Sequence, residues 1–201
     1  MNYLSHLFLA ENNAASRTGN LLGDFVTGRP EALKDHFPDA VLKGIVRHRA
    51  IDRFTDSHRV TAWLRGAVAP SRRRFAGVIS DIVHDYFLTR RWAEFCSIPF
   101  RSFVDECNAC LREHLAILPP ELSDTLEQRI EDDWLGHYGT DEGLDGVFHR
   151  VALRHHGFSP IKDAVQDLKQ NREMFEKGFE EFFPDLVTWV GKLGPEADAL
   201  I

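Results

Sequence analysis

The chain predicts an all-α fold, a single-domain helical bundle, and three observations carry that prediction. Apolar residues recur at helical spacing in most segments, no stretch of useful length alternates apolar and polar residues as a strand would, and Gly and Pro punctuate the periodic segments. A length of 201 residues suits one domain with a real core and is short for two, so residues 1–201 are expected to form one domain. Hydrophobic content of 43% and charged content of 27% are ordinary globular values and point to neither a disordered nor a membrane class.

The opening MNYLSHLFLAENN has no basic leader, and its apolar run is broken at Ser5 and His6. Neither a signal peptide nor a membrane span is expected, and the expected location is the cytoplasm. Tyr3, Leu4, Leu7, Phe8 and Leu9 predict a short amphipathic helix over residues 2–11, with His6 inside the apolar set. A lone His there reads first as a satisfied core histidine or a support for a nearby site. NNAASRTGN reads as a polar turn, and LLGDFVTGRP as a short apolar segment closed by Gly28 and Pro30. Asp24 is the one acid of that segment. Leu21, Leu22, Phe25 and Val26 around it leave little polar face, so it is expected to be buried and paired.

After a loop or helical turn in EALKDHFPDA, residues 38–58 predict the helix on which the function is organised. Pro38 and Asp39 form a start signal, Val41, Leu42, Ile45, Val46, Ile51 and Phe54 supply a partly periodic buried side, and no proline interrupts. On that helix His48, Asp52 and Asp56 fall at i, i+4 and i+8, with Arg49 and Arg53 as an adjacent row. The same residues at the same spacing also describe an ordinary solvated face.

RVTAWLRGAVAP predicts a brief helix ended by Pro70. SRRRFAGVISDIVHDYFLTRRWAEF predicts a long one, with Ser71 as its cap and Arg72, Arg73 and Arg74 in its first turn. Arginines oppose the positive end of a helix dipole, which an anionic partner or chance surface composition would explain. Asp81 and Asp85 lie at i, i+4 beside His84, on a helix that Val78, Ile79, Ile82, Val83, Tyr86 and Phe87 make apolar on most sides. Two like charges one turn apart on a buried helix call for arginines, a shared proton or a metal.

The remaining segments are helical and chemically sparse. RSFVDECNACLREHLAILPP ends at Pro119-Pro120, ELSDTLEQRIEDDWLGHYG stops at Gly139, and His155-His156 before Gly157 reads as a helix C-terminus. SPIKDAVQDLKQNREMFEKGFEEFFPDLVTWVGKL has a capping signal at Ser159-Pro160 and a long amphipathic pattern broken or kinked near Pro184. Cys96, Cys107 and Cys110 are an odd number with no second pair to complete a zinc site, so reduced, packed thiols are expected. A formal charge of -7 disfavours broad nucleic-acid binding.

Three segments thus offer Asp24, then His48 with Asp52 and Asp56, then Asp81 with His84 and Asp85. Carboxylates and imidazole without thiolate suit manganese or magnesium, and iron or zinc less specifically. Such a metal would polarise a phosphoryl oxygen and activate water, which is phosphoester hydrolysis chemistry.

In order and spacing, N-Y-L-x-H-L, G-N-L-L-G-D-F, G-I-x-x-H-R-x-I-D-x-F-T-D and Asp81-x-x-x-Asp85 resemble the acyl carrier protein phosphodiesterase family. The likeness spans the chain and is densest from Met1 to Trp92. It implies an HD-domain-like helical fold. It also implies a divalent metal, typically manganese with magnesium or iron as alternatives, and removal of 4'-phosphopantetheine from holo-acyl carrier protein. Metal roles are implied for Asp24, His48, Asp52 and Asp81, catalytic or supporting roles for His6, Asp85, Arg49 and Arg53, and a substrate-side role for Asn20. The family pattern carries Asp-His-Phe at the end of the Asp81 helix, where this chain has Asp85-Tyr86-Phe87 with His84 on the other side. An acidic carrier would meet a protein of net charge -7 through local positive surface, for which Arg72, Arg73, Arg74, Arg90 and Arg91 are the candidates. A phosphohydrolase acting on a nucleotide or other small phosphoester and a non-catalytic helical binding module are the alternatives.

Overall fold

The structure, a computed structural model, describes residues 1–154 and 156–198, so His155 lies outside it. Among the described residues are thirteen α-helices, 3-10 turns and no strand. In chain order the helices are α1 (Tyr3–Leu9), α2 (Ala14–Leu22), α3 (Pro30–Leu33), α4 (Asp39–Ser57), α5 (Arg59–Leu64), α6 (Ala76–Arg90) and α7 (Trp92–Phe95). They continue as α8 (Phe100–Glu113), α9 (Pro120–Ser123), α10 (Leu126–Glu131), α11 (Asp141–Leu153), α12 (Val165–Gln170) and α13 (Arg172–Lys192). No described helix is long and apolar enough to cross a membrane. The chain divides into two compact units, each assembled from separated stretches. The first holds Tyr3–Arg53, Ile98–Leu135 and the residues from Val187 on; the second holds Met1–Asn2, Phe54–Ser97 and Gly136–Leu186.

In the first unit, α2 packs against α1 and α8. The sequence reads this stretch as a turn, and the structure corrects that. Asn13 has extended backbone and its side chain accepts from the Ser16 N–H at 2.8 Å, so the Asn that looked like a turn residue is the N-cap of a helix. Among the polar residues that follow, Arg17 is carried into the interior by its partners. Arg17 is 4% exposed, lies 3.2 Å from Glu106 and rests over the Phe103 ring. Gly19 has a packing reason: a Cβ there would come within 2.2 Å of the Val41 carbonyl and 2.8 Å of the Gly44 Cα, so α2 and α4 touch backbone to backbone. Leu4, Leu7, Leu21, Leu22, Val41, Leu42 and Ile45 are fully buried, and Tyr3 is flanked by the rings of Phe25 and Trp134.

The second unit is built on α6 and α13. Ile79, Val83, Tyr86 and Leu88 of α6 are fully buried, as are Phe175, Phe179, Phe182 and Phe183 of α13. Two boundaries differ from the sequence reading. Pro70–Phe75 is a 3-10 turn and α6 begins at Ala76, so Ser71 does not cap it and the three arginines precede the α-helix. The long C-terminal pattern is interrupted at Asn171, whose amide donates to the Ala67 carbonyl at 3.0 Å, while α13 runs on through Pro184.

Candidate metal centre

Helix α4 sets His48 and Asp52 one turn apart, and α1 brings His6 across to them. The two imidazole rings stack with centroids 3.7 Å apart and 19° between their planes. Both rings aim at one carboxylate: His6 Nε2 is 3.1 Å from Asp52 Oδ1, and His48 Nε2 is 3.0 Å from Asp52 Oδ2. The other edge of His48 meets the Asn20 carbonyl, with Nδ1 at 2.6 Å. A carbonyl only accepts, so Nδ1 carries the proton of that bond and Nε2 is the nitrogen turned towards the acid.

Local sequence explains why that carbonyl is available. Of the last four carbonyls of α2, those of Gly19, Leu21 and Leu22 accept from backbone N–H groups of the following loop, whereas that of Asn20 accepts from His48. Gly23 gives the ring its place: a Cβ there would lie 2.1 Å from His48 Cγ.

His6 and His48 are buried, and Asp52, its side chain 35% exposed, is the open member of the set. Burial, with the neighbouring His48 ring, lowers the His6 pKa to about 3 against the pull of Asp52, so His6 is neutral at physiological pH. Burial alone would raise the Asp52 carboxyl, but the His48 and His6 imidazoles beside it outweigh it and hold the group well below the usual carboxylate range. The result is a fixed anion at the Nε2 edges of the stacked rings.

Among the described residues His6, His48 and Asp52 form one set whose ligating atoms all lie within 4.8 Å of one another. Asp24 Oδ1 is 3.7 Å from His48 Nε2 and brings a second carboxylate near. Two imidazole nitrogens and two carboxylates fit a divalent first-row ion. Their chemistry does not choose among manganese, iron and zinc. The buried Nδ1 of His6 has no hydrogen-bond partner among the described residues, so this ring is held by stacking and by Asp52 alone.

Asp24 is exposed where burial was expected. Helix α2 ends at Leu22, so Leu21 and Leu22 turn inward while Asp24 rides the loop beyond them. Arg49 ties that loop to α4, donating to the carbonyls of Gly28 at 2.6 Å and Val26 at 3.1 Å. Arg53 and Asp56 are exposed on the last turns of α4. Asn20 is fully buried behind His48, which replaces the expected substrate contact with a hold on the ring.

In the second unit, Asp81 lies 3.4 Å from the Met1 ammonium and Asp85 is fully buried. Arg72 is not a docking group: it grips the buried Asp167 with two hydrogen bonds, of 2.7 and 2.8 Å. Arg73 is exposed; Arg74 is exposed too, over the Phe75 ring and bonded to the Gly157 carbonyl. Arg91 is engaged by Glu94 and Glu180. His84 is stacked on Phe182 with neither ring nitrogen partnered among the described residues, while Tyr86 bonds Asp141 and Arg172.

Fold and site together define an all-α protein with a histidine and carboxylate centre of metal-binding composition. The chain belongs to the acyl carrier protein phosphodiesterase family, whose model matches residues 1–186. It is 31% identical over 189 residues to proteins named acyl carrier protein phosphodiesterase from Salmonella agona (strain SL483), Salmonella newport (strain SL254) and Salmonella heidelberg (strain SL476). In each case 94% of this chain and 96% of the relative are covered. No solved structure matches the chain.

Proposed function

We propose that this protein hydrolyses the phosphodiester joining 4'-phosphopantetheine to a serine of holo-acyl carrier protein. The family match over residues 1–186 carries the reading, and the donor set around Asp52 supports the chemistry. His6, His48 and Asp52, with Asp24, would hold a divalent ion, manganese first and magnesium or iron as alternatives. That ion would supply a Lewis acid for the phosphoryl oxygen and for the attacking water.

The protein's own groups do the rest. Asp52 stays anionic across the physiological range and needs no proton removed before use. The Asn20 carbonyl fixes the orientation of His48, so no reorientation accompanies binding. Arg49 holds the Asp24 loop, and Arg53 stands exposed one residue beyond Asp52 to neutralise charge on the phosphoryl oxygens. Arg73 and Arg74 are the cationic surface for an acidic carrier. Water forms a bond to phosphorus, the bond from phosphorus to the serine oxygen breaks, and a proton returns to the serine.

The test is incubation of holo-acyl carrier protein with enzyme and manganese in heavy-oxygen water. Carrier mass should fall to that of the apo form, with label in released 4'-phosphopantetheine and none in the serine. Label on the serine would mean carbon-oxygen cleavage; an unchanged carrier mass would overturn the reading.

A further inference from the structure

We propose that Glu196, in the C-terminal segment, is a positioning residue for the metal centre, acting through Asn20 on His48. The proposal rests on the metal-centre reading above. Gly194 and Glu196 lie beyond the residues the family model matches, yet they belong to the same compact unit as the centre and are bonded into it.

Hydrogen bonds from both helices seat the segment. Arg47, one residue before His48 on α4, donates to the Gly194 carbonyl at 2.6 Å. The Glu196 N–H donates to the Glu11 carboxylate at 2.6 Å. The Glu196 side chain then turns inward, where the Asn20 amide donates to it at 2.9 Å. Glu196 is 3% exposed and Asn20 fully buried, so water does not replace this bond. The same amide nitrogen donates to the Ser16 carbonyl at 3.0 Å, which completes its two donors.

The consequence falls on the backbone. Asn20 is held from its side chain by Glu196, and its own carbonyl holds His48 Nδ1. The segment therefore bonds both helices of the pair that carries the ring: α2 through Asn20, and α4 through Arg47. Removing the Glu196 carboxylate leaves that buried amide donor with only the longer contact to Ser16 Oγ, at 3.4 Å, one residue from the Gly19 contact with α4. The cheapest relief is a shift of the Asn20 turn, and that shift moves the acceptor on which His48 depends. Groups that orient a metal-ligating histidine through its second nitrogen are worth about 10- to 100-fold in metal affinity.

The test uses the full chain as Glu196→Ala and Glu196→Asp, with two readouts. Manganese titration followed by calorimetry gives the Kd, and proton-nitrogen NMR of the His48 ring without metal gives its tautomer. Glu196→Ala should raise the Kd about tenfold or more. It should also replace the single Nδ1-protonated signature by a mixture, while the far-ultraviolet spectrum stays helical. Where Glu196→Ala does not fold, Glu196→Asp is read in its place, since it keeps the charge but falls one methylene short of Asn20. A folded variant with wild-type Kd and an unchanged His48 tautomer overturns the proposal. Wild-type protein that takes up no divalent ion would instead overturn the metal-centre reading. The ring signature would then still report whether Glu196 orients His48.

Discussion

Asp52 is the residue on which the centre turns, because the two stacked imidazoles both face its one carboxylate. Asp52→Asn keeps the shape but removes the negative charge that a cation would bind. We expect manganese affinity and phosphodiesterase activity to fall at least about 100-fold, with the melt remaining cooperative. Near-normal turnover under limiting manganese would remove Asp52 from the site. His84 makes a contrasting case, a buried histidine stacked on Phe182 with neither ring nitrogen bonded among the described residues. Burial lowers its pKa to about 3 from 6.5, so folded protein keeps it neutral where the unfolded chain protonates. Its contribution is constant above pH 6.5, and stability is lost as pH falls from there towards 3. His84→Phe should retain the stack on Phe182 and relieve two unpaired nitrogens, stabilising at pH 7 by about 1 kcal/mol. It should also lose less stability than wild type between pH 7 and pH 4, as read by denaturant midpoints. A midpoint that fell equally in both proteins would assign the acid loss to other groups.

At the scale of elements, the legible parts were those whose pattern is local. The spacing of His48 and Asp52 on α4 requires only a helix, and the two side chains are 3.0 Å apart as that spacing demands. His6 was visible as a histidine in an apolar run, but its approach to α4 is a tertiary fact that periodicity does not carry. Helix α2 was hidden because Asn13 and Gly19 carry turn chemistry in isolation. In the fold they are a cap and a helix contact. Residues after Lys192 offered no pattern, although Glu196 is among the most buried acids of the chain. The same limit separates the three arginines before α6. Arg72→Ala would strand Asp167, 1% exposed, and should destabilise the protein by about 3 kcal/mol. Arg73→Ala with Arg74→Ala should leave the melt in place and raise KM for the carrier at low salt. That effect should fade as ionic strength approaches 0.1 M, where the Debye length is about 10 Å. An unchanged KM at low salt would place docking elsewhere. Gly23→Ala should push the His48 ring from its seat and weaken manganese binding about tenfold; an unaltered titration would show that the α2 turn yields instead.

For the whole molecule, a metal that binds only the folded chain stabilises it by mass action. Manganese at 100 times its Kd should add about 2.7 kcal/mol to the unfolding free energy. Thermal melts with manganese and with a chelator should show the shift in wild type and its loss in Asp52→Asn. A shift that survived in the variant would place the stabilising ion at another site.

The seating of the C-terminal segment also has a consequence in time. A chain is synthesised from its N-terminal side onward, so His6, Asp24, His48 and Asp52 all emerge before Glu196. Glu196 follows Asp52 by some 144 residues, a delay of roughly 7 to 30 s at synthesis rates of about 5–20 residues per second. During that interval the nascent chain exposes a full set of metal donors whose orienting carboxylate has not yet been synthesised. The donors of the centre are thus made well before the carboxylate proposed to orient them.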